Sequence, residues 1–321
     1  MNVEKGFVDA PVDPSVDLVA EIKRLKKEKN AVVLAHYYTI GEIQDLADFI
    51  GDSLALARIA EKLDNDIIVM CGVHFMGETV KILCPDKKVL VPDLNAGCSL
   101  ADSCPAPELE KFIEEHPGHT VISYVNTSAA VKALTDIVVT SGNAMDIVNS
   151  LPADEKIIFG PDRNLGNYIN SQTGREMILW DGACHVHEQF SLEKILELKK
   201  QHPEAKVLVH PECPKPIRLV ADKVGSTAVL LKWAEECEFD SFIVATESGI
   251  LHEMRRRCPQ KTFIPAPPAD STCACNDCSF MKLNTLQKLY NTLRYELPEV
   301  TVDPAIIDRA RRPITRMLEI K

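Results

Sequence analysis

The sequence lacks the features of membrane-spanning and exported proteins. No apolar run approaches the roughly 18 residues that a membrane helix needs. The first residues, MNVEKGFVDAPVDPSVD, contain neither the basic segment nor the apolar segment of a signal peptide. We therefore expect a cytoplasmic protein with no membrane partner.

Long blocks of one charge are also missing. The formal net charge is −11 and is spread along the chain, which argues against nucleic acid or an anionic membrane as a partner. The chain contains neither a P-loop nor a G-x-G-x-x-G segment. A nucleotide cofactor therefore has no support in the sequence.

Cysteine, in contrast, is abundant. The chain contains 11 cysteines, an odd number, and without a signal peptide a disulfide framework explains them poorly. Metal binding or redox chemistry explains them better. Cys71, Cys84, Cys237 and Cys258 lie in or beside apolar segments, and we expect these four to be small packing residues.

One pattern occurs three times along the chain. A first strand-like run ends at His36 and Tyr38, at Tyr124 and Asn126, and at His210 and Glu212, with spacings of 88 and 86 residues between copies. Each copy continues with a hydroxyl-bearing turn, a third run, a fourth run and a cysteine loop. The loops contain Cys98, Cys184 and one of Cys273, Cys275 and Cys278. A unit this long exceeds a solenoid repeat, so each copy is predicted to be a small α/β domain.

Short β-branched runs such as AVVLAHYY, TVISYVN and KVLVHPE alternate with helical patterns such as GEIQDLADFIGDSLALARIAEKL and SLEKILELKKQ. This alternation is typical of parallel sheets covered on both faces. A further helix is predicted from Pro14 to Lys29.

The predicted fold is α/β, with three related small parallel-sheet domains around a pseudo-threefold axis and a central active-site cavity. The predicted domains are residues 18–105 together with 279–321, residues 106–190, and residues 191–278. The C-terminal helices are expected to pack on the first domain and close the ring.

Ligands of such sheets bind at the carboxyl ends of the strands, where the three cysteine loops would meet. Three thiolates so far apart in sequence match no local metal motif, and they would leave one iron of a [4Fe-4S] cluster open as a Lewis acid. The pair Cys275 and Cys278 is also compatible with a redox pair or half of a zinc site.

Other polar residues are candidates for the same cavity. Glu212 is a candidate acid or base if burial raises its pKa. His185 and His187 occupy alternate positions of a strand-like stretch, which puts both on one face. One of them is a candidate pocket residue, with a surface role as the alternative. Ser53, Ser141, Ser226 and Thr227 are expected near helix N-termini, where they favour anions or act as N-caps.

The order and spacing of many segments resemble the quinolinate synthase family of de novo NAD biosynthesis, a branch of pyridine nucleotide biosynthesis. The resemblance covers nearly the whole chain, through LAHYY, GDSL, CGVHFMGETVKIL, PDLNAGCSLADSC, YVNTSA, TSGNA, FGPDRNLG, WDGACHVHE, VHPEC, GSTA, ATESGI and CSFMKLNTL.

This resemblance implies a cytoplasmic transferase-type enzyme that condenses iminoaspartate with dihydroxyacetone phosphate, releasing phosphate and water. It implies an L-aspartate oxidase or dehydrogenase as the partner that supplies iminoaspartate. It places a [4Fe-4S] cluster on Cys98, Cys184 and Cys278, the last because the family's third cysteine directly precedes the stretch that matches SFMKLN.

The resemblance also implies roles for residues of the cavity. Proton transfer falls to Glu212 and Tyr38, with His36 and Tyr124 near the reacting carbons. The positions that match the family's substrate site are His36, Tyr38, Ser53, Tyr124, Asn126, Ser141, His187, His210, Glu212, Ser226 and Thr227.

One segment departs from the family. Some members carry C-x-x-C-x-x-C here, whereas this chain has Thr272 at the first of those positions and an additional Cys273. Two other kinds of protein remain as alternatives, namely a cluster-bearing redox sensor without turnover and a zinc-stabilised binding protein. Release of phosphate from dihydroxyacetone phosphate separates the enzyme from the redox sensor, and the zinc-stabilised protein would be colourless.

Overall fold

A computed structural model of the chain describes residues 3–270 and 276–319. Within these residues the strands form three sheets of four parallel strands each. The first contains β1 (Ala31–His36), β2 (Phe49–Gly51), β3 (Ile67–Cys71) and β4 (Lys88–Leu90). The second contains β5 (Thr120–Tyr124), β6 (Ile137–Val139), β7 (Ile157–Gly160) and β8 (Ile178–Leu179). The third contains β9 (Lys206–Val209), β10 (Lys223–Val224), β11 (Ser241–Ala245) and β12 (Thr262–Pro265).

The three sheets have the same topology. Their strand orders are β2-β1-β3-β4, β6-β5-β7-β8 and β10-β9-β11-β12, and all neighbouring strands are parallel. Each sheet therefore places its first and third strands at the centre. The predicted α/β fold with three related units is confirmed, and the domain boundaries given above stay a prediction.

Helices connect the strands. Those of the first unit are α1 (Leu18–Glu28), α2 (Gly41–Leu46), α3 (Ser53–Ala60), α4 (His74–Leu83) and α5 (Ser99–Asp102). Those of the second are α6 (Ala106–Glu115), α7 (Ala129–Lys132), α8 (Ala144–Ser150) and α9 (Arg163–Thr173). Those of the third are α10 (Leu192–Gln201), α11 (Lys215–Arg218), α12 (Thr227–Glu236) and α13 (Ile250–Arg257), and the chain closes with α14 (Leu286–Tyr295) and α15 (Pro304–Glu319).

The sheets are buried on both faces, as their continuous apolar sequences predict. In β1, Val32 and Leu34 belong to a core shared with the second sheet, whereas Val33 and Ala35 face a core formed with α1 and α14. The residues of β11 are divided between two cores in the same way. Because helices cover both faces of each sheet, a ligand-binding site is expected at the carboxyl ends of the strands.

Three aspartates repeat with the same spacings as the first strands: Asp48, Asp136 and Asp222. The carboxylate of each accepts a hydrogen bond of 2.8 Å from a main-chain N–H near the start of the first strand, namely that of Val33, Val121 and Val207. This contact fixes the second strand of each sheet beside the first. Sequence analysis missed this regularity.

Two predicted helices differ from the structure. The segment GEIQDLADFIGDSLALARIAEKL also contains strand β2, and Asp52 begins α3 after it because its carboxylate accepts from Ala55 N at 2.9 Å. Helix α1 begins at Leu18 rather than at Pro14. Its N-cap is Asp17, whose carboxylate accepts from Ala20 N at 3.0 Å.

The C-terminal helices join two units rather than packing on the first alone. Helix α14 packs on α1 in the core of the first sheet. Helix α15 contacts α4 of the first unit but also β6 and α7 of the second, and Arg316 donates to Asp136 O at 3.0 Å. The predicted packing on the first unit is thus present, and α15 also packs on the second because its apolar side, which includes Ile314 and Met317, fits a core common to both sheets.

No helix within residues 3–270 and 276–319 is long and apolar enough to span a membrane. The cytoplasmic location stays a prediction.

Candidate active site

A cavity of about 70 Å³ is lined by residues of all three units. Most of the residues predicted from the sequence line it: His36, Tyr38, Ser53, Cys98, Tyr124, Asn126, Ser141, Cys184, His187, His210, Glu212, Thr227 and Cys278. Ser226 is not one of the lining residues. It is buried and caps α12, with its hydroxyl accepting from Val229 N at 3.4 Å.

The three cysteines of the cavity have equivalent surroundings. Each precedes one turn of helix: Cys98 precedes α5, Cys184 precedes His187–Gln189, and Cys278 precedes Met281–Leu283. Main-chain N–H groups of these turns act on the sulfurs: Leu100 and Ala101 on Cys98, His187 on Cys184, and Phe280 and Met281 on Cys278. Helix N-terminal N–H groups of this kind stabilise a thiolate.

Burial nevertheless dominates the titration of these thiols. It raises the pKa of Cys98 to about 12 and the pKa values of Cys184 and Cys278 above their ordinary value. Cys98 also interacts electrostatically with Cys278, and Cys184 with Cys98. Three partly buried thiols around one cavity, each with N–H groups directed at it, suit a metal centre whose positive charge displaces their protons.

Glu212 lines the cavity and is almost fully buried. The Tyr124 hydroxyl donates to its Oε1 at 2.5 Å, and Nδ1 of His187 lies 2.9 Å from its Oε2. Burial acts to raise the pKa of this carboxyl, but His210, His187 and the Tyr124 hydrogen bond outweigh burial and hold the pKa below its usual range. The condition of a raised pKa is therefore not met, and Glu212 is a carboxylate in the free site.

Two buried histidines occupy equivalent positions at the ends of first strands. Nδ1 of His36 accepts from Tyr38 N at 3.1 Å, and Nδ1 of His210 accepts from Glu212 N at 3.3 Å. Burial lowers the pKa of both histidines to about 3. Both rings are therefore neutral at physiological pH, with the proton on Nε2, where it can be donated to a substrate oxygen.

A chain of hydrogen bonds joins the three units. The Tyr38 hydroxyl lies 2.6 Å from Thr227 Oγ1 and 2.8 Å from Thr246 Oγ1. Thr246 Oγ1 lies 3.0 Å from Nε2 of His187, whose Nδ1 faces Glu212. Burial raises the pKa of Tyr38, so its hydroxyl keeps its proton. Protons can move along this chain between the first and third units.

The hydroxyl turns differ in their relation to helices. Ser53 and Thr227 are the first residues of α3 and α12, whereas Ser141 lies before α8. Asp52 caps α3 and also lines the cavity, so a carboxyl group lies beside the Ser53 turn. The three turns are therefore not equivalent as anion sites, and the one at Thr227 has the longest helix behind it.

Three of the cavity residues lie close enough to share one metal ion. Cys184 Sγ, a ring nitrogen of His187 and a carboxylate oxygen of Glu212 lie within 4.8 Å of one another. Nδ1 of His187 is 3.2 Å from Cys184 Sγ. The carboxylate and the thiol of the cavity are thus connected through one imidazole.

Residues 20–319 match the family model described as quinolinate synthetase A protein. The chain belongs to the quinolinate synthetase A family. It is 56% identical over 312 residues to the quinolinate synthase of Thermosynechococcus vestitus, covering 97% of this chain and 98% of that protein. It is 56% identical over 305 residues to that of Nostoc punctiforme, covering 95% and 94%. It is 54% identical over 305 residues to that of Chloroherpeton thalassium, covering 95% of each.

Membership of this family makes the chain an enzyme, and quinolinate synthase activity is the function that the similarity supports. Synthesis of quinolinate belongs to NAD biosynthesis. The sequence resemblance to this family is thereby confirmed over almost the full length.

Several residues around the cavity were not predicted from the sequence. Thr246 and Glu247 follow β11, and Asp162 follows β7. All three follow the third strands of their sheets, where polar residues also belong to a site, whereas the predicted strand-end residues follow the first strands. Lys282, paired with Glu247 at 2.8 Å, comes from the C-terminal segment and no pattern marks it.

The HVHE segment is not a strand. His187 lies in a 3-10 turn, and both His185 and His187 line the cavity. The strand-like conformation predicted for this stretch is therefore wrong, and of the two alternatives, pocket lining or a surface role, the structure shows pocket lining for both histidines.

The other cysteine predictions can be compared with the structure in part. Cys71, Cys84 and Cys258 are buried in apolar cores, and Cys237 packs partly buried against one, as expected. Cys273 and Cys275 lie outside the described residues, as does Thr272.

Proposed function

We propose that the chain condenses iminoaspartate with dihydroxyacetone phosphate to quinolinate, with release of phosphate and water. One observation carries the proposal: three thiols, one from each unit, line a cavity that also contains Glu212 and neutral histidine donors. The proposed reaction needs groups that bind carboxylates, groups that transfer protons and a group that assists the loss of water.

Cys98, Cys184 and Cys278 would hold a [4Fe-4S] cluster, and their surroundings suit that role. Three protein thiolates leave one iron without a protein ligand, so the bound cluster would supply a Lewis acid for dehydration. The three thiols and the rest of the cavity share one space, which supports direct access of the substrate to that iron.

The polar residues divide into proton-transfer groups and binding groups. Glu212 is ionised in the free site and would take up a proton, whereas the Tyr38 hydroxyl is protonated in the free site and would donate its proton. His36 and Tyr124 lie near the reacting carbons. Substrate carboxylate and phosphate oxygens would be bound by Ser53, Asn126, Ser141, His187, His210, Ser226 and Thr227.

Ser226 would act from beside the cavity, through its position at the N-terminus of α12, since it does not line the space. An L-aspartate oxidase or dehydrogenase would supply iminoaspartate, which is short-lived in water.

Product formation tests the proposal. Protein purified without oxygen is mixed anaerobically with dihydroxyacetone phosphate, L-aspartate, an L-aspartate oxidase and fumarate as the electron acceptor of that oxidase, and quinolinate and inorganic phosphate are measured. We expect both in equal amounts. A protein that carries the cluster but releases no phosphate would instead be a redox sensor, and a colourless protein that contains zinc would be a binding protein.

A dicarboxylate should change the magnetic-resonance spectrum of the cluster. Quinolinate that enters the cavity lies in the same space as all three thiols, so it should reach the iron that has no protein ligand. The measurement is an electron paramagnetic resonance spectrum of the reduced protein with and without quinolinate. An unchanged spectrum under saturating ligand, with binding confirmed by calorimetry, would contradict the Lewis-acid role.

A further inference from the structure

Two of the three cysteines donate a main-chain hydrogen bond to a fully buried carboxylate. Asp162 follows β7, and its Oδ2 accepts from the main-chain N–H of Cys184 at 3.2 Å. Glu247 follows β11 after Thr246, and its Oε1 accepts from the main-chain N–H of Cys278 at 3.0 Å. Both carboxylates thus hold the backbone of a cysteine loop, not its sulfur.

The second oxygen of each carboxylate holds the start of a helix. Oδ1 of Asp162 accepts from Leu165 N at 2.7 Å in the first turn of α9. Oε2 of Glu247 accepts from Gly249 N at 2.7 Å, immediately before α13. One side chain in each unit therefore ties the end of the third strand, the next helix and the cysteine loop together. The arrangement is the same although the two side chains differ in length.

The first unit makes the same connection with its main chain. Gly72 and Val73 follow β3, and His74 N, at the start of α4, donates to Ala96 O at 2.6 Å in the loop that contains Cys98. All three units therefore join the helix after the third strand to the cysteine loop, two of them through a carboxylate. Such recurrence in different chemical forms indicates that the connection itself matters.

The cost of burying these carboxylates supports a dedicated role. A buried charge is strongly unfavourable unless it is paired or hydrogen-bonded. Glu247 is paired with Lys282 at 2.8 Å, and Lys282 also donates to Tyr38 O at 2.9 Å. Asp162 is held by main-chain N–H groups at the helix start and at Cys184. If Asp162 and Glu247 served only to fill space, apolar residues at these two positions would have a lower free-energy cost of burial.

We propose that Asp162 and Glu247 are positioning residues that fix the loops of Cys184 and Cys278 for the cluster. The inference rests on the proposed cluster ligands. Neither carboxylate ligates metal; each sets the place from which a sulfur does so. Groups that orient metal ligands in this way change metal retention by about 10- to 100-fold when they are removed.

The first variants are Asp162→Asn and Glu247→Gln. Each keeps the shape, but its amide has one oxygen acceptor, so its NH2 group must face either the cysteine N–H or the helix N–H. Protein purified without oxygen is exposed to an iron chelator, and loss of visible absorbance is followed. We expect the rate of loss to rise by about tenfold or more in both variants.

Asp136→Asn is the matched control. Asp136 also accepts a main-chain hydrogen bond, from Val121 N at 2.8 Å, but it does so at the opposite end of the second sheet from Cys184. Its cluster should be lost at the wild-type rate. Acceleration of the same size in this control would overturn the proposal, since it would reduce the effect to general loosening of the fold.

Glu247→Asp covers the case in which an amide variant does not fold. It keeps the charge beside Lys282 but is one methylene shorter, so it cannot reach both N–H groups. Thermal unfolding and circular dichroism verify its fold, and alkylation of Cys278 in the cluster-free protein measures loop order without iron. We expect faster cluster loss and faster alkylation.

The outcomes separate the two levels of the proposal. Wild-type protein without a cluster would contradict the proposed function. A wild-type cluster together with wild-type rates of loss in Asp162→Asn, Glu247→Gln and Glu247→Asp would leave the function standing and overturn the positioning role.

Discussion

Replacing any one of Cys98, Cys184 and Cys278 with serine should reduce the iron content of anaerobically purified protein from about four atoms per chain to almost none. Among the cysteines of residues 3–270 and 276–319, these three are the ones that line the cavity, so no other described cysteine is placed to replace Cys98 or Cys184. A serine hydroxyl is a far weaker iron ligand than a thiolate. The measurement is iron per chain together with visible absorbance, and the wild-type protein should be brown.

Cys237→Ser is the matched control for these variants. Cys237 is partly buried and packs against the core of the third unit, away from the residues that line the cavity. It should retain wild-type iron content. If Cys275→Ser is colourless and Cys278→Ser stays brown, the assignment of the third ligand is wrong.

Much of this architecture is visible in the sequence because buried parallel strands have a strong signal. The runs ending at His36, Tyr124 and His210 are continuously apolar, and their spacing establishes three units. Strands β2 and β10 were missed because they are two or three residues long and lie at sheet edges, next to helical patterns. The equally spaced aspartates at their starts would have identified both.

The cavity was predicted more completely than its electrostatics. Sequence position shows that Glu212 follows a strand, but its pKa depends on contacts with His187 and Tyr124 that come from another part of the chain. Burial alone predicts a raised pKa, and only the three-dimensional structure reveals the donors that reverse the shift. The ion pair between Lys282 and Glu247 could not be predicted either, because the two residues lie 35 positions apart in the sequence.

Glu212→Gln should lower turnover by about 10² or more while the iron content stays at the wild-type level. The amide has nearly the shape of the carboxylate but cannot accept a proton. It also disrupts the network, because the Tyr124 hydroxyl and Nδ1 of His187 now both donate to it and only its oxygen can accept. The measurement is quinolinate formed per chain at saturating substrates, with iron determined on the same sample.

Glu253→Gln separates a catalytic effect from a structural one. Glu253 is a fully buried carboxylate of the same unit, but it is paired with Arg256 and Arg257 and does not line the cavity. Its replacement should lower thermal stability and leave turnover per cluster unchanged. Near-normal turnover in Glu212→Gln would assign the proton transfer to another group. Tyr38 is then the remaining candidate, since its hydroxyl reaches His187 through Thr246 without passing through the Glu212 carboxylate.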